Sequence, residues 1–240
     1  MNRTFKFSSS LLVLAAVCGA MGSAQAADLQ AAPVYTKAPV VEAWNPWMIR
    51  VRALGVLPDA GGSTVNVTGV PALSSPNSGL KISNQVVPEL DISYFFTKNI
   101  AAELILGVTR HSISGTGTLD GLNIGKAWLL PPTLTLQYHF TDFGAFKPYI
   151  GAGVNYTVFF NQSASNQVFN GLAVTNLHIS NQWGAAVQFG FDYMLDKHWG
   201  LNVDVKKVWF NTDADINDGA LKSDVNLDPW VVSVGFGRKF

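Results

Sequence analysis

The stretch Trp230-Val231-Val232-Ser233-Val234-Gly235-Phe236-Gly237-Arg238-Lys239-Phe240 decides the fold. In an extended chain Trp230, Val232, Val234 and Phe236 fall on one side, and Val231, Ser233, Gly235, Gly237 and Lys239 on the other. That period of two, closing on a terminal aromatic, reads as a strand of a transmembrane β-barrel. Lipid offers no partner to an open sheet edge, so one such strand implies a closed ring of them.

The same alternation recurs upstream. Near residues 44–58, Trp47, Ile49, Val51 and Ala53 alternate with Met48, Arg50, Arg52 and Leu54. Lipid rejects the arginine face, which must therefore line the interior. Near residues 85–97, Leu90, Ile92, Tyr94 and Phe96 point outward and Glu89, Asp91 and Ser93 inward. A tight Thr97-Lys98-Asn99 turn then leads into Ile100, Ala102, Leu104 and Leu106, with Glu103 inward, completing a hairpin. Further strands are expected near 126–141, 147–161 and 181–195, and from Trp199 through Val205. Each reaches about ten residues, the length a tilted strand needs to cross the hydrocarbon.

Connections alternate in length. They are short at Lys98, Phe143 and Asp196, and long around residues 59–80, 111–125, 162–179 and 212–225. Outer-membrane barrels have this asymmetry, with short periplasmic turns and longer external loops, so both ends of the barrel chain fall on the periplasmic side. The long connections are rich in Gly, Ser, Asn and Asp, which predicts exposed, mobile loops. Tyr138, Phe140, Phe143, Phe146, Tyr193, Trp199 and Phe240 would mark the periplasmic interface, and Trp128, Phe160, Trp183, Trp209 and Trp230 the outer one. A soluble sandwich with aromatic core residues is the alternative, but charges fall on a single face of each strand.

Composition agrees. Hydrophobic residues make up 48% and charged residues 13%, yet beyond the first 26 residues no run approaches the roughly 20 apolar residues of a membrane helix. The apolar residues are therefore dispersed, as in a barrel wall. Arg3 and Lys6, the apolar run from Leu11 to Cys18 and Ala24-Gln25-Ala26 read as a signal peptide over residues 1–26. A lipoprotein reading fits poorly, because Val17 and Ala15 stand where it needs a small residue and a leucine. Removing the signal takes away the single cysteine, so disulfides cannot brace the remainder. It leaves 14 basic against 16 acidic residues, a balance with no affinity for nucleic acid. Residues 27–43, with Pro33 and Pro39, read as a periplasmic N-terminal arm.

The inward positions collect Arg50, Arg52, Glu89, Asp91, Glu103, Gln137, His139, Gln188, Asp192, Asp204 and Lys206. An eight-stranded barrel is only wide enough for side chains to fill, so these groups are expected to neutralise one another in a polar plug rather than to carry a solute directly. Above it, toward the long loops, Leu54, Val56 and Ile105 turn the interior apolar. They form either a substrate path for a greasy solute or packing for the loops. His111 and Ser112 open a long loop, but neighbours on a strand point to opposite faces and nothing nearby marks an oxyanion hole. No enzymatic role, cofactor or metal spacing is therefore expected.

Residues 88–103, Pro-Glu-Leu-Asp-Ile-Ser-Tyr-Phe-Phe-Thr continuing through Asn99-Ile100-Ala101-Ala102-Glu103, resemble the outer membrane protein W (OmpW) family. So do Pro131-Pro132-Thr133-Leu134-Thr135-Leu136-Gln137-Tyr138-His139-Phe140 and Lys147-Pro148-Tyr149-Ile150-Gly151-Ala152-Gly153-Val154-Asn155-Tyr156, with Trp47-Met48-Ile49-Arg50-Val51-Arg52-Ala53 and Phe240 in agreement. The resemblance implies an eight-stranded barrel with a narrow, largely hydrophobic channel passing small apolar molecules, some members serving as receptors for bacteriocins or phage. Expected partners are outer-membrane lipid, lipopolysaccharide and a small hydrophobic solute that leaves sideways into the bilayer. The competing expectation is a non-transporting surface receptor or envelope-stress module acting through its loops.

Overall fold

The computed structural model describes residues 44–240; the expected signal peptide and N-terminal arm lie outside the described residues. Eight strands form the wall: β1 (Trp47–Leu57), β2 (Gln85–Phe95), β3 (Ile100–Gly107), β4 (Thr133–His139), β5 (Phe146–Ala164), β6 (Gln182–Met194), β7 (Trp199–Trp209) and β8 (Trp230–Lys239). Each pairs antiparallel with its neighbours in sequence, and β8 pairs with β1 from Met48↔Lys239 to Leu57↔Trp230, closing the cylinder. The ring of strands thus closes on itself, as lipid requires, save for one interruption between β3 and β4. Among the described residues no helix is long and apolar enough to cross a membrane; the crossing is made by strands.

Period two is visible in burial. Val51, Leu136 and Phe236 are each about 60% exposed while Arg50, Asp91 and Glu103 are 0% exposed. The large inward side chains are accommodated by glycine on the adjacent strand. Gly237 and Gly235 stand opposite Arg50 and Arg52, and a Cβ at either would strike the arginine beside it. Two short turns are held alike by a side chain at their first position. Thr97 Oγ1 accepts from the amides of Asn99 and Ile100, and Asp196 Oδ1 from those of His198 and Trp199.

The structure departs from the sequence reading above the membrane. The long connections are not open coil but form a crown of short strands. Thr109–Gly117 and Asn123–Leu130 make a hairpin, flanked by Ser78–Ile82 on one side and by the upper half of β5 on the other. Across from it, Leu177–Ile179, Asn211–Ile216, Leu221–Asn226 and Thr64–Val67 make a four-stranded sheet. Their inward residues, among them Val65, Ile124, Ile216 and Leu221, are nearly or fully buried in one apolar cluster with Leu122 and Val174 of the adjoining turns. Burying that much apolar surface is what holds segments so rich in turn residues in place.

The expected continuous fourth strand near 126–141 is corrected. It breaks at Pro131-Pro132 into the crown strand Asn123–Leu130 and the wall strand β4. Proline has no N–H to give the ladder, so two in succession interrupt it.

Candidate functional site: an apolar chamber above an ion-paired floor

All eleven polar residues read as inward are buried. Arg50 spans the lumen: Nε and Nη2 reach Asp192 at 2.9 and 2.7 Å, and Nη1 donates to Ser93 Oγ at 2.7 Å and Glu103 Oε1 at 3.1 Å. Arg52 lies one inward position higher. Its Nε donates to Glu89 Oε1 and its Nη2 to Asp91 Oδ1, both at 2.5 Å, and its Nη1 to Asn202 Oδ1 at 2.8 Å. The network spreads from these two. Gln137 and Gln188 donate to Glu103 Oε2, His139 Nε2 meets Gln137 Oε1 at 2.8 Å, and Lys206 Nζ lies 2.5 Å from Asp204 Oδ1. Arginine's planar fork suits such paired carboxylates, and the mutual hydrogen bonding offsets the cost of taking these charges out of water.

Three members of the floor escape a search for inward charges. Tyr149 donates to Asp204 Oδ2 at 2.8 Å, Asn202 donates to Asp192 Oδ1 at 2.9 Å, and Ser93 caps the Arg50 guanidinium. Ser93 and Asn202 have inward parity on their strands but no charge. Tyr149 stands one residue before the first alternating pair of its segment.

Above the floor the interior becomes apolar. Leu54 and Ile105 are buried and Val56 half-buried, and all three line one cavity of about 70 Å³ together with Leu129, Val208 and Phe210. A second cavity of about 60 Å³ continues upward into the crown core, lined by Leu80, Ile113, Ile124, Leu177 and Ile216 among others. Val56, His111, Leu129, Phe210 and Pro229 border both, so one apolar column runs from the crown to the ion pairs. His111 is satisfied within it, Nδ1 lying 2.6 Å from the Ser83 carbonyl oxygen and Nε2 3.1 Å from Thr109 Oγ1. Ser112 is exposed on the opposite face of that strand, so the two do not form a nucleophile and base. Among the described residues no His, Cys, Asp and Glu group is arranged to hold a metal ion.

The wall of the lower cavity is incomplete on one side. The β3–β4 register ends at Ile105↔Thr133 and resumes above at Thr109↔Leu129, pairing none of Leu106, Gly107 and Val108 with Leu130, Pro131 and Pro132. The interruption covers about 13 Å of strand at roughly 3.3 Å per residue. The proline carbonyls turn to β5 instead: Tyr156 N donates to Pro132 O at 3.0 Å, and the buried Asn155 amide reaches Pro131 O at 3.2 Å. Gly107 and Pro131 border the cavity from within, and Trp128, packed on Phe160, lies above the interruption.

A family model described as "OmpW family" matches residues 46–240. The chain belongs to the OmpW family. Outer-membrane protein y4mB of Sinorhizobium fredii is 50% identical over 228 residues, covering 93% of this chain and 91% of that one. The "Dibenzothiophene metabolism operon protein PahQ" of Pseudomonas aeruginosa is 29% identical over 203 residues, covering 82% and 89%. Among solved structures, outer membrane protein OprG from Pseudomonas aeruginosa superimposes with a TM-score of 0.72 at 34% identity, covering 81% of this chain and 95% of that one. This OmpW-family chain is thus an outer-membrane barrel, and its chamber, floor and interrupted wall sit within that frame.

Proposed function

We infer that this barrel takes up small hydrophobic molecules passively and releases them sideways into the bilayer. The observation that carries the reading is the join of three features at one place: an apolar chamber, a floor of mutual ion pairs, and a wall whose ladder is interrupted beside the chamber. An apolar solute gains free energy in the chamber and would lose it among the buried charges of the floor. Its favourable way out is through the interruption, from one apolar phase to another. The chamber is narrow as it stands, so passage requires the crown strands and the gap to part. The relative PahQ is named for a dibenzothiophene metabolism operon, and dibenzothiophene is a flat apolar heterocycle of the kind this route would suit.

The test is uptake of a fluorescent apolar probe into proteoliposomes by Leu54→Arg and Val56→Asp variants whose folding is verified by gel mobility. Uptake should fall about tenfold or more, since either variant buries an unpaired charge in the path. Unchanged uptake in both overturns the reading.

The packed crown favours one other reading, in which the barrel anchors a surface module that binds a phage or bacteriocin. Deleting the 212–225 connection would then abolish sensitivity to that partner while Leu54→Arg leaves it intact.

A further inference from the structure

The outward face of the crown is divided by charge although the chain as a whole is neutral. On the sheet formed by Ser78–Ile82, Thr109–Gly117 and Asn123–Leu130, the exposed side chains include Lys81, Arg110 and Lys126, and these three strands contain no Asp or Glu. On the opposite sheet Asp213 pairs in register with Asp224, and Asp215 with Lys222. Among the described residues, none of Lys81, Arg110 and Lys126 makes an ion pair; Arg110 lies 5.6 Å from the centre of the Trp128 ring and has no other charged or ring contact.

Register places these cations at the edge of the membrane. Arg110 is opposite Trp128, Lys126 opposite Ser112, and Lys81 opposite Ser114. Trp128 packs on Phe160 with ring centres 6.3 Å apart, an aromatic pair of the kind that settles at the bilayer interface. Arg110 is therefore level with the interface. Lys126 stands diagonally across from it, about 7–8 Å away between backbones, close enough for both long side chains to meet one anionic group. Lys81 continues the strip outward.

We propose that Arg110, Lys126 and Lys81 bind the phosphate groups of the phosphorylated glycolipid that forms the outer leaflet of the outer membrane. A guanidinium suits bidentate phosphate recognition and a lysine adds a point charge beside it. Trp128 and Phe160, level with Arg110 at the lower end of the strip, lie where the first acyl carbons of such a lipid would rest. The strip rises directly from Leu130-Pro131-Pro132, so the bound glycolipid would stand beside the interrupted ladder. The inference rests on the membrane position of this face and is independent of whether a solute passes through the chamber.

The experiment places the purified protein in nanodiscs of zwitterionic phospholipid doped with lipid A, in bisphosphorylated or fully dephosphorylated form, and counts retained glycolipid by native mass spectrometry. The unaltered protein should retain the bisphosphorylated form about tenfold better, with the preference shrinking at high salt. Arg110→Gln with Lys126→Gln should bring the two forms close to parity, while Asp213→Asn with Asp224→Asn should leave the preference intact. Parity in the unaltered protein overturns the proposal without any variant. An undiminished preference in the folded Arg110→Gln, Lys126→Gln protein overturns it as well.

Discussion

Arg50 on β1 and Asp192 on β6 meet face to face across the lumen through two parallel hydrogen bonds, joining strands that share no ladder. This pair ties opposite walls of the cylinder together at its floor.

Asp192→Ala takes the bidentate partner from a fully buried guanidinium, leaving it Glu103 and Ser93, and should destabilise the barrel by about 2–4 kcal/mol. Urea unfolding in lipid vesicles, followed by tryptophan fluorescence, measures the change. The double replacement Arg50→Met with Asp192→Leu should recover part of it, because Glu103 then keeps Arg52 at 3.8 Å and the amides of Gln137 and Gln188. A single variant as stable as the parent would show that the clamp contributes nothing.

Arg52 contacts Glu89, Asp91 and Asn202 together, so the floor depends on it. Replacing both Arg52 and Glu89 by serine removes the central ion pair and leaves room for water. Ion conductance across a planar bilayer should rise above that of the parent protein. No increase would mean that the barrier to ions lies in the crown instead.

Pro131 and Pro132 withhold two N–H groups from the wall beside the chamber. Pro131→Val with Pro132→Thr restores them and should let the ladder run through from Thr133 to Leu129. Amide exchange at residues 106–108 should slow, and uptake of an apolar probe should fall several-fold with folding unchanged. Slower exchange with undiminished uptake would sink lateral release while leaving the chamber in place.

Asp196 lies in a periplasmic turn, where the amides of Trp199 and His198 hold its carboxyl below the usual value of 3.8. A group whose folded pKa is depressed stabilises the fold above its unfolded pKa and loses that contribution as pH falls through the folded value. The parent should therefore be more stable than Asp196→Ala near neutrality, and the two should converge as pH falls through the depressed folded value. Unfolding midpoints measured across that range check the sign; a constant gap at all pH values would assign the effect to something other than the carboxylate.

Much of the barrel is legible in the chain because lipid punishes the wrong parity. Arg50 and Arg52 can only face inward, and they carry Met48 and Leu54 with them. The break at Pro131-Pro132 is not legible by the same logic: Trp128, Leu130, Leu134 and Leu136 keep one parity straight through it, so alternation reads as a single strand. The crown is hidden for a different reason. Its strands are as short as the three residues of Leu177–Ile179, and Asn217, Asp218 and Gly219 in their turns give the surroundings a loop composition. What such pieces bury depends on partners far away in the chain, as when Ser223 donates to the carbonyl of Thr64, 159 residues distant. Leu54, Val56 and Ile105 could be placed from parity alone, whereas Phe210 and Pro229, which border the same cavity, fall at strand junctions where parity carries no information.

The grip of Arg50 on Ser93, Glu103 and Asp192 has a consequence for biogenesis. Its carboxylate partners arrive on β3 and β6, so a lone β1–β2 hairpin would have to enter the hydrocarbon with Arg50 short of both. Insertion hairpin by hairpin is therefore disfavoured, and the sheet must curl before it sinks, which would register as one concerted phase when spectroscopic probes on the earliest and latest strands are followed during refolding into vesicles.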